Sequence, residues 1–88
     1  MKFKDGIVIS EVGGERILVD AGVSGEQLHG VITLNESACF IANKLQSETT
    51  LENLAEDLVN EYDVDKATAL SDAKSLVEKF KENNLIVE

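Results

Sequence analysis

The sequence predicts an α+β fold of the winged helix-turn-helix type, a three-stranded antiparallel sheet followed by three helices, and three observations predict it. Short β-branched runs fill the first third of the chain, a pair of glycines joins the first two runs, and the remainder carries apolar residues at helical spacing. At 88 residues there is room for a single domain, 1–88. A domain of that size buries about 60 to 65% of the surface its unfolded chain exposes.

The strands come first. Gly6 to Val12 reads GIVISEV and Glu15 to Asp20 reads ERILVD, which predicts strands over about 6–12 and 15–20. Gly13 and Gly14 between them form a two-residue hairpin turn. Ala21 to Gly30 carries Gly22, Ser24 and Gly25, the chemistry of a loop. It leads into Val31-Ile32-Thr33-Leu34, a third strand over about 30–34.

Three helices follow. Asn35 offers an N-cap, Glu36 places negative charge in the first turn, and Leu34, Ala38, Ile41 and Leu45 recur at helical spacing, which predicts a helix over about 36–46. Thr49 and Glu52 have the spacing of a capping box, opening a helix over about 50–61 whose apolar stripe is Leu51, Leu54, Ala55, Leu58 and Tyr62. Asp65 caps a third helix over about 66–82, with Leu70, Ala73, Leu76, Val77 and Phe80 as its stripe and Asn83-Asn84 at its end. Leu85-Ile86-Val87 is a last short strand or tail. The turn at Asp63-Val64-Asp65 makes the last two helices a helix-turn-helix, with the strands as wings.

Composition narrows the function. Seventeen acidic against eight basic residues give a net charge of −9. Such a surface repels nucleic-acid phosphates and anionic lipid, so a neutral or basic partner is expected, with no nucleic acid and no membrane. The N-terminus lacks the apolar core of a secretory signal, and a cytoplasmic location is expected. The lone Cys39 forms no internal disulfide, and no set of Cys and His residues has the spacing of a metal site. His29 has no carboxylate or Cys spaced with it as a triad requires, and there is no Gly-rich phosphate loop. No catalytic residue, metal or cofactor is assigned, and the chain is read as a binding module rather than an enzyme.

The passages ITLNESACFIANKL, TTLENLAEDLVNEYDVD and FKENNLI, with the hairpin IVISEVGGERILVD, resemble the PqqD-like proteins over nearly the whole chain. The resemblance implies a recognition element for ribosomally made, modified peptides. Such a domain binds the leader segment of a precursor peptide and, as a peptide chaperone, presents it to a modifying enzyme, often a radical SAM protein. It implies that the leader adds as an antiparallel strand to the third strand, here Val31, Ile32, Thr33 and Leu34, and lies in a groove against the third helix. Ala69, Ala73 and Leu76 are the small or apolar residues expected beside Ile32 and Leu34, with Asp72 and Lys79 at the rim. Asp72 matches an acidic position of the family suited to a basic or hydroxyl side chain of the leader. Two positions depart from the family pattern: Ala42 stands where many relatives carry tryptophan, and His29 where an Asn or an aromatic residue often stands.

The alternative is a winged-helix DNA-binding transcription factor with the third helix in the major groove. That helix carries Lys66, Lys74, Lys79 and Lys81 against Asp72, Glu78 and Glu82, without the basic stripe such a role requires. An exposed strand edge that accepts a leader can also pair with its own copy, so a homodimer is a further expectation.

Overall fold

The computed structural model describes residues 1–21 and 30–87. The elements run β1 (Lys2–Phe3), β2 (Ile7–Val12), β3 (Glu15–Asp20), β4 (Gly30–Leu34), α1 (Glu36–Lys44), α2 (Leu51–Tyr62), α3 (Lys66–Glu82) and β5 (Ile86–Val87). Strands β2, β3 and β4 form an antiparallel sheet in that order, and three helices follow, the α+β architecture the sequence predicts. The hairpin turn is equally direct in the backbone: Gly13 and Gly14 take φ values of 59° and 84°. Two consecutive positive φ angles give a turn whose twist matches its strands, and they favour glycine at both places.

Alternation along the sheet sets its two faces. Ile9, Leu18 and Ile32 lie opposite one another in adjacent strands and face the helices, with Leu18 1% exposed. Helix α1 packs beneath all three strands. Its Ala38, Ile41 and Ala42, with Leu45 after it, are buried against Leu34, Leu54, Ala55 and Leu58. Ala42 has no exposed surface, so the small side chain is part of the close-packed core.

A second sheet has only two short strands, and its N-terminal strand departs from the sequence expectation. Lys2–Phe3 pairs antiparallel with Ile86–Val87. The Phe3 N–H donates to the Leu45 carbonyl and the Lys4 N–H to the Leu85 carbonyl, both at 2.8 Å. The Phe3 ring packs edge-on against Phe80 at 5.2 Å between centroids. A two-residue strand carries no periodicity, so nothing in its sequence marks it; its stability comes from the buried Phe3.

The helix ends show where local rules hold and where tertiary contacts override them. Asn35 accepts from the Ala38 N–H at 2.8 Å and Asp65 from the Thr68 N–H at 3.2 Å, both as N-caps. The cap of α2 is Thr50, accepting from the Asn53 N–H at 3.1 Å, and not the expected Thr49. The Thr49 N–H instead donates to the Met1 carbonyl, at 3.0 Å, which ties the chain start to this turn. Helix α1 ends at Lys44, two residues short of the expected Gln46. Helix α3 closes with Asn84 at φ 60°, the Leu85 N–H donating to the Phe80 carbonyl and the Asn84 N–H to the Lys81 carbonyl. This is a Schellman motif, and its buried Leu85 anchors the turn that feeds β5.

The buried stripe of helix α3 is narrower than the expected one and shares Ala73, Val77 and Phe80 with it. Ala69, Ala73, Val77 and Phe80 are its buried residues, while Leu70 is 39% exposed. Ala69, Ala73 and Phe80 lie on one line of the helix, and Leu70 sits about 100° from Ala69. Alanines there allow α2 and α3 to approach closely, so burial follows geometry rather than side-chain size.

Candidate functional site

The site is built on β4, one of the two edges of the sheet. Among the described residues β4 pairs only with β3, in the register Arg16↔Leu34, Ile17↔Thr33, Leu18↔Ile32, Val19↔Val31 and Asp20↔Gly30. Which backbone groups remain outside that ladder follows from the hairpin. A two-residue turn makes Val12 and Glu15 a hydrogen-bonded pair, and the Ala21 N–H donates to the Gly6 carbonyl at 3.0 Å on the same parity. Glu15, Ile17 and Val19 therefore direct their backbone groups to β2, and Arg16, Leu18 and Asp20 direct theirs to β4. Gly30, Ile32 and Leu34 answer them. The N–H and C=O groups of Val31 and Thr33 point away from the sheet, along its open edge.

The side chains divide by the same alternation. Leu34 is buried and Ile32 half-buried toward the helices, whereas Val31, 55% exposed, and Thr33 face outward. Thus the two residues with free backbone groups also present their side chains on the outer face of the sheet.

Helix α3 supplies the other candidate residues. It packs on α2 and touches α1, and β4 packs on β3 and α1. Helix α1 is therefore the element common to both, a floor between the strand and the helix. Asp72 and Lys79 are exposed and Leu76 is half-buried, all on one flank of α3. Ala69 and Ala73 have no exposed surface. They are core residues in this arrangement and do not line a surface trough beside the strand; Leu76, packed at the edge of the core, is the half-buried apolar residue of that flank. Asp72 and Lys79 engage no other described side chain in an ion pair.

Other features lie elsewhere. A surface cavity of about 340 Å³ is lined by Met1, Thr49, Thr50, Leu51, Lys74, Val77, Glu78 and Lys81, on the flank of α3 opposite Asp72 and Lys79. Phe40 and Tyr62 pack edge-to-face at 5.6 Å, and the Lys44 ammonium lies 5.3 Å from the centre of the Phe40 ring. Desolvation, then the Glu36 and Glu61 carboxylates, raise the Tyr62 hydroxyl pKa above its ordinary value. At the far end of β3, Asp20 is 4% exposed and pairs with Lys4 at 3.0 Å. Sequence reading missed this pair because an aspartate at a strand end reads as solvated until the fold buries it. His29 lies outside the described residues. Among the described residues no group of three His, Cys, Asp or Glu side chains is placed to hold a metal, and no helix is long and apolar enough to cross a membrane.

Comparison with known proteins places this geometry in context. Residues 15–86 match the family model described as coenzyme PQQ synthesis protein D (PqqD). Among solved structures, a lasso peptide synthetase B1 complexed with the leader peptide is 28% identical, with a TM-score of 0.73 over 99% of this chain and 96% of that one. TbiB1 in complex with the TbiA(beta) leader peptide is 21% identical and shares the fold, with a TM-score of 0.75 over 97% and 93% of the two chains. No curated protein matches the sequence.

Proposed function

Because this chain belongs to the PqqD family, we propose that it binds the leader segment of a ribosomally synthesised precursor peptide and presents it to a modifying enzyme. The observation that carries the proposal is the edge of β4, unpaired among the described residues, where the backbone groups of Val31 and Thr33 are directed away from β3. An extended leader adds there as an antiparallel strand, and its main chain supplies the hydrogen bonds that β3 supplies on the other side. The leader complex of the 28% identical lasso peptide synthetase B1 supports the same class of ligand.

In this reading the leader's inward side chains settle over Ile32 and Leu34 and against Leu76. Asp72 and Lys79 receive polar or charged groups at the rim, and Ala69 and Ala73 shape the wall from within the core. The domain performs no chemistry itself. It raises the local concentration of the peptide at an enzyme, of which a radical SAM protein is the type proposed, in the cytoplasm. A DNA-binding use of α3 is disfavoured by the net charge of −9.

The test is a titration of isotopically labelled protein with the leader of a precursor peptide encoded beside it. Amides of residues 30–34 and of the Asp72, Leu76 and Lys79 flank should shift together. Saturable binding that leaves residues 30–34 unmoved would exclude strand addition at β4.

A further inference from the structure

The outer face of the sheet carries two cross-strand rows that the function above does not use. Val8, Val19 and Val31 are directly opposite one another, as are Ser10, Ile17 and Thr33. All six are uncharged, in a chain whose residues are 28% charged. Val19, in the central strand, is half-buried, because a valine flanks it on each side. Val31 has that cover on one side only and is left 55% exposed. Among the described residues the row stops at β4.

We propose that Val31 is a specificity-determining residue that reads the leader on the solvent face, selecting a β-branched or aromatic residue at the position directly opposite. The inference rests on strand addition at β4 and says which side chains that strand must carry. The free backbone groups of Val31 and Thr33 make them the residues that form hydrogen-bonded pairs with the added strand. Directly opposite residues in an antiparallel pair share a face, so the leader residue paired with Val31 projects outward beside it and extends the valine row. The residue paired with Thr33 extends the second row, where a β-branched or hydroxyl side chain fits. The intervening leader residue turns inward beside Ile32. The bound segment is therefore apolar or β-branched on both faces, a continuous run rather than an alternating one. A second copy of this chain is the poorer occupant of the edge, since each copy brings a charge of −9.

A displayed library of random peptides, long enough to pair with all of β4, is selected against the wild-type protein and against Val31→Glu. Val31 is exposed, so the variant keeps its fold; Val8→Glu, at the far end of the same row, serves as the control. Wild-type and Val8→Glu proteins should enrich Val, Ile, Thr or an aromatic residue at one outward position. Val31→Glu should shift that position to Lys or Arg while the neighbouring inward position stays apolar. For a single peptide, exchanging Val for Lys at that position should change the relative affinity for the two proteins by up to about fivefold. Unchanged preferences for Val31→Glu, with amides of residues 30–34 still shifting on binding, overturn the inference and leave strand addition standing. Enriched peptides that never shift those amides overturn both.

Discussion

At the C-terminal end of α3 and at β4 the same problem, a strand with few neighbours, is handled in opposite ways. Two strands of only two residues each, β1 and β5, pair there and hand their remaining hydrogen bonds to Leu45 and Leu85. Phe3 and Phe80, 4% and 0% exposed, lock them to the core. The five-residue β4 is longer, yet among the described residues it has a partner on one side only, with Val31 exposed on the outer face. Strand length therefore does not decide closure; burial of an aromatic anchor does. The open edge is affordable because the clasp and the helical core hold the fold without it.

If the clasp is structural and the edge functional, substitutions should separate stability from binding. The largest effect is expected at the clasp: Phe80→Ala should lower unfolding free energy by about 3–5 kcal/mol in urea denaturation. A loss below about 1 kcal/mol would show that β1 and β5 do not share the core.

At the edge, adjacent proline substitutions should diverge. Thr33→Pro removes an N–H that points away from β3, so the protein should stay folded by circular dichroism while leader affinity falls about tenfold or more. Ile32→Pro removes a ladder hydrogen bond and should lower stability by about 1 kcal/mol or more. Reversal of that pattern would mean that the hydrogen-bonding parity of β4 is the opposite one.

Lys4→Met should cost about 1–2 kcal/mol, because it takes a cationic partner from the buried Asp20, while the partial exposure of Lys4 limits the loss. Smaller effects belong to the turn before α3. Asp63 closes α2 with φ 54° and its N–H donates to the Val59 carbonyl, so Asp63→Gly should raise stability by about 0.5–1 kcal/mol. Tyr62 gives the weakest signal. Its raised hydroxyl pKa contributes stability that is complete below the ordinary value of 10.0 and is lost as pH rises through the folded value. Tyr62→Phe should flatten that alkaline decline in thermal denaturation curves.

The sequence is most legible where physics is local. The Gly13-Gly14 turn, the Asn35 and Asp65 caps and the spacing of Leu54, Ala55 and Leu58 each rest on residues within a few positions of one another. Legibility fails where distant segments compete for the same groups. Thr49 looks like a cap but spends its N–H on Met1, and Leu70 looks like core until the packing of Ala69 and Ala73 turns it outward. Phe3 and Phe80 are 77 positions apart, and neither has meaning as an anchor until they meet.

The candidate site divides the same way. The β-branched run Val31-Ile32-Thr33-Leu34 marks a strand in the sequence, and only the resemblance to the PqqD-like proteins marks it as a candidate binding strand. That β4 is an edge, that Val31 and Thr33 hold its outward backbone groups, and that Val31 ends a valine row were decided only by tertiary structure. Strand order and register are relations between segments, set by which faces the core can bury, and no single segment encodes them.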